Sequence, residues 1–67
     1  MRDPERIDEF CNELAKMWKE NCPDWRFGQL MTNFFSEEYY SKDRDPFFPE
    51  EEDMKKSLEE FFKKIKG

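Results

Sequence analysis

A chain of 67 residues with a formal net charge of −5 holds one domain with a thin core. It contains two cysteines and no histidine, which leaves too few ligands for a four-coordinate structural zinc site and removes the commonest general acid–base residue. Aromatic residues, eight Phe, two Trp and two Tyr, supply large apolar area in a chain otherwise crowded with charge, so folding rather than disorder is expected.

The first element is legible from its period. Ile7, Phe10, Cys11, Leu14, Met17 and Trp18 recur at helical spacing and form one stripe. Asp3 followed by Pro4 is an N-cap with a proline in the first turn, and Glu5 complements the helix dipole. Asn21-Cys22-Pro23 gives the stop, because proline restricts the residue before it. These signals predict a helix over about residues 4–21. If Cys11 and Cys22 both lie on it, their separation is ~16 Å along the axis, too far for an intrachain disulfide. The opening Met-Arg-Asp-Pro-Glu-Arg is charged and no apolar run exceeds two residues, the pattern expected of a cytoplasmic protein with free thiols and no membrane span.

Asp24 is positioned to cap a second helix over about 25–35, striped by Phe27, Leu30, Met31 and Phe34, and joined to the first by a short turn that would make the two consecutive neighbours. Gly28 within it suggests either a close backbone approach or a tolerated glycine near a helix start. Glu37 to Tyr40 offer an extension to 40, with Phe35 and Tyr39 as an i, i+4 pair. Residues 41–49 contain two prolines and read as a loop. A third helix over 50–66 carries Met54, Leu58, Phe61, Phe62 and Ile65, with Glu50 to Asp53 at its start, lysines near its end and Gly67 at the cap position. The expected fold is therefore all-α: a single helical domain, 1–67, forming a compact three-helix bundle with a long loop between helices two and three. Its core would comprise Ile7, Phe10, Leu14, Trp18, Phe27, Leu30, Phe34, Met54, Leu58, Phe61 and Ile65.

No catalytic set, cofactor site or metal site can be nominated. Cys22 lacks a histidine or nearby lysine to activate it, carboxylate pairs have no evident cleft, and no glycine-containing calcium loop is present. The charge distribution is more informative. Residues 36–53 carry eight acidic and two basic side chains, a net −6. Part of that is ordinary helix N-terminal chemistry, and part could steer a basic partner. Core assignment leaves Trp25, Phe35, Tyr39, Tyr40, Phe47, Phe48 and Phe62 over. Phe47 and Phe48 either plug the open end of the bundle or join an exposed patch that marks an interface.

The candidate partner-binding residues are Glu37, Glu38, Tyr39, Tyr40, Asp43, Asp45, Phe47, Phe48, Glu50, Glu51, Glu52 and Asp53. They point to a non-catalytic module for a protein with a basic surface. A homodimer closed by the surplus aromatics is the alternative. Arg26 is the only basic residue between Asp24 and Tyr40, which argues against a helix–turn–helix DNA reader and against direct nucleic-acid binding.

The run Pro23-Asp24-Trp25-Arg26-Phe27-Gly28-Gln29-Leu30-Met31-Thr32-Asn33-Phe34, followed by Asp45-Pro46-Phe47-Phe48-Pro49-Glu50-Glu51, resembles a family of small uncharacterised bacterial and bacteriophage proteins. The shared pattern is a helix starting with Arg-Ile, then Pro-Asp-x-Arg-x-Gly-Gln-Leu-x-x-Asn, then Asp-Pro-Phe-(Tyr/Phe) before an acidic helix. The likeness spans roughly Arg6 to Phe61. It implies a bacterial or phage origin and no established function; together with the −6 segment and the surplus aromatics, that origin leads to the expectation of a phage-type accessory protein that modulates a host protein, for example one handling nucleic acid or serving defence. It brings no catalytic residues. Gln29 and Asn33, i and i+4 in the pattern, are expected to hydrogen-bond the Asp45-Pro46 loop, with a binding role for the pair as the alternative.

Overall fold

In the computed structural model, which describes residues 2–66, the chain is all-α. Helix α1 spans Glu5–Asn21, α2 spans Phe27–Glu38, and α3 spans Glu51–Lys66, with a single 3-10 turn at Tyr40–Lys42. Among the described residues no helix is long and apolar enough to cross a membrane. The expected cap at Gly67 lies outside them.

The start of α1 follows its sequence signal. The Asp3 carboxylate accepts a hydrogen bond from the Glu5 amide at 2.9 Å, satisfying one of the donors a helix N-terminus leaves open. The second helix differs from expectation at its start. Asp24 does not cap it. The amide of Trp25 bonds the Cys22 carbonyl at 3.1 Å, so residues 22–25 are consumed by a turn. Arg26 then takes an extended backbone, and α2 begins at Phe27 with no side-chain cap. At its other end α2 runs on past 35 to Glu38, within the extension the sequence allowed. A Cβ on Gly28 would meet nothing within 4 Å, so no close approach inside this chain explains that glycine.

Both α1 and α2 pack on α3. They meet each other at the turn, where the Trp18 indole donates to the Trp25 carbonyl at 3.1 Å and its ring lies 6.1 Å from that of Phe27. Away from the turn they splay. The radius of gyration, 12.0 Å, is correspondingly above the ~11 Å expected of a compact chain of this length.

The buried core is Cys22, Leu30, Phe34, Tyr39, Leu58, Phe61 and Phe62. Phe34 is its hub, edge-on to Phe61 at 5.6 Å and to Tyr39 at 5.7 Å. Phe10, Leu14, Met17, Trp18, Trp25, Met31, Phe35 and Met54 pack around it, partly exposed. Three expected core residues are instead exposed: Ile7, Phe27 and Ile65. Ile7 sits on the half of α1 that has splayed from α2, Phe27 opens α2 with one side against the Trp18 ring, and Ile65 lies in the final turn of α3. Tyr39 and Phe62 take their places.

Tyr39 is buried because α2 stops there. Its backbone leaves the helical region, and its side chain turns back onto Phe34 and Phe35 and reaches α3. Its hydroxyl lies 3.1 Å from the Ser57 hydroxyl and 3.3 Å from the Met54 sulfur. The chain then folds over it. The Arg44 amide donates to the Tyr39 carbonyl at 2.8 Å, and the Arg44 guanidinium stacks on the Tyr39 ring at 4.6 Å. Asp43 takes the left-handed conformation this reversal needs, at φ 56°, which an aspartate tolerates better than most residues.

Beside it, Glu38 is 1% exposed. Its carboxylate accepts from Lys64 of α3 at 2.8 Å and from Lys42 at 3.2 Å. Burial pushes this carboxyl up, but the hydrogen bonds and charges of Lys64 and Lys42 together outweigh burial and hold its pKa below the ordinary glutamate range. Lys64 is raised in turn, chiefly by its hydrogen bond to Glu38. Among the described residues, every buried side-chain polar atom has a partner.

A carboxyl with a depressed folded-state pKa contributes stability that is present above its unfolded pKa and lost as pH falls through the folded one. Urea unfolding from pH 7 downward should therefore show a loss that begins near the ordinary glutamate pKa, about 4.3, and continues below it. The Glu38→Gln variant should be less stable by about 1–2 kcal/mol at pH 7, the half-exposed lysines limiting the cost. The gap between the two proteins should narrow as pH falls below the ordinary glutamate range.

Candidate functional site

Twelve residues were expected to form a partner-binding surface, and the structure divides them. Glu38 and Tyr39 are buried and belong to the α2–α3 contact, so they are not available to a partner. Glu38 points inward because it lies one turn after Phe34 on the α3-facing side of α2, and Tyr39 because its backbone leaves the helix there and turns the side chain back. Glu37, Tyr40, Asp43, Asp45, Phe47, Phe48, Glu50, Glu52 and Asp53 are exposed, and Glu51 is half-buried.

Several of the acids are already engaged. Arg2 pairs with Glu50 and Arg6 with Glu51, each at 2.7 Å, fastening the start of α1 to the start of α3. The Asp45 carboxylate accepts from the Phe47 amide at 2.9 Å, shaping the turn that carries Phe47 and Phe48. The expected bond from Gln29 or Asn33 to the Asp45-Pro46 loop is not formed. Both side chains are exposed, and the loop aspartate satisfies its own backbone instead.

Phe47 and Phe48 do not plug the bundle. They are 82% and 74% exposed, and their rings touch only edge-to-face with each other among aromatics, at 5.0 Å. The Asp45 carboxylate bonds the loop's own backbone, and the apolar rows beside the loop are left partly uncovered.

A feature not expected from the sequence is the cleft left where α1 and α2 diverge. Its volume is about 300 Å³. Ile7, Phe10 and Leu14 form one wall, Met31, Phe34 and Phe35 the other, and Met54 and Leu58 of α3 the floor. Pro46, Phe47, Pro49 and Glu51 bound the end away from the turn. The stripes of α1 and α2 were read correctly as apolar faces, but a stripe does not reveal whether its opposite number lies close enough to cover it.

Cys22 is buried, and burial pushes its thiol up, away from the thiolate. Cys11 is exposed, and both cysteines are free. Among the described residues no three Cys, Asp or Glu side chains are grouped so as to hold a metal ion.

Comparison of the chain with protein-family models, with curated proteins and with solved structures finds no match.

The division of the aromatics has a direct consequence for stability. Replacing Tyr40, Phe47 or Phe48 by alanine should leave unfolding free energy within about 0.5 kcal/mol of the wild type. Replacing Tyr39 or Phe62 should cost about 3–5 kcal/mol, most of the stability of a domain this small, as read by urea unfolding.

Proposed function

We propose that this chain is a non-catalytic protein-interaction module that presents an acidic, aromatic face to a protein with a basic surface. The observation that carries the reading is the exposed Phe47–Phe48 pair, with Asp45, Glu50 and Asp53 lining the same surface recess as Phe48; Glu37, Asp43 and Glu52 are exposed elsewhere on the acidic segment. Exposed aromatics supply contact area at low entropic cost, and a field of one sign steers encounter with the opposite sign. The resemblance of the Pro23–Phe34 and Asp45–Glu51 segments to small bacterial and phage proteins favours an accessory protein of phage or prophage origin. It would act in the bacterial cytoplasm on a host protein, one that handles nucleic acid or serves defence. Such a target offers the basic groove that this face would occupy.

A second reading has an observation of its own. Ile7, Phe27, Tyr40, Phe47 and Phe48 are all exposed, and a homodimer would cover some of them. Sedimentation at micromolar concentration separates the two readings, a monomer being expected.

A partner captured from host lysate should bind more weakly as salt rises, by about tenfold or more between roughly 50 and 300 mM. Capture should be lost in a Phe47→Ala, Phe48→Ala variant shown to remain folded. An affinity indifferent to salt would count against the acidic face as the docking surface.

A further inference from the structure

We draw no further inference here: the strongest candidate, the apolar cleft between α1 and α2, is lined by a single acid, Glu51, that Arg6 already pairs, and nothing in the structure shows what covers it.

Discussion

The arrangement of this small domain depends on how the end of α2 is fastened to α3. Glu38 and Tyr39 are consecutive, buried and polar, and both reach α3: the carboxylate to Lys64, the hydroxyl to Ser57. Buried polar groups of this kind are costly unless every partner is in place. Here the partners are supplied from two directions, by α3 and by the 3-10 turn that returns over Tyr39 with Lys42 and Arg44. The contact therefore fixes more than the pairing of two helices. It sets where the loop starts and which face of α2 turns inward.

From that fastening the rest follows by geometry. The short turn after Cys22 ties the start of α2 to the end of α1 through Trp18, Trp25 and Phe27. At its other end α2 is held by α3 rather than by α1, while Arg2 and Arg6 hold the start of α1 to Glu50 and Glu51 of α3. With α1 and α2 each committed to α3, they diverge, and the apolar rows between them remain partly uncovered. The loop beside them leaves Phe47 and Phe48 exposed, its Asp45 carboxylate bonding the loop's own backbone. The cleft and the exposed Phe47–Phe48 pair thus adjoin each other.

Much of the fold was legible in the sequence. Periodicity located all three helices, Asp3-Pro4 and Cys22-Pro23 marked the ends of α1, and the charges of α3 followed its dipole. The errors have physical causes. Asp24 resembled a cap, but capping depends on where the backbone turns, and the turn at 22–25 placed it two residues too early. Ile7, Phe27 and Ile65 lie on correct stripes at helix ends, where burial depends on the neighbour rather than on the stripe. Tyr39 and Glu38 looked like surface because they fall in an acidic run. Their burial is decided by Ser57 and Lys64, far along the chain, which no local pattern connects to them. For the same reason the sequence suggested an acidic aromatic surface but not the cleft beside it.

The claim that this buried contact fastens α2 to α3 is tested most directly by a double-mutant cycle between Tyr39→Phe and Ser57→Ala, read by urea unfolding at neutral pH. A hydrogen bond between two buried hydroxyls gives an expected coupling of about 1 kcal/mol. Strictly additive single-variant effects would contradict it, because the two side chains would then contribute independently and the Tyr39–Ser57 bond would add nothing to the Glu38–Lys64 pair and the apolar packing.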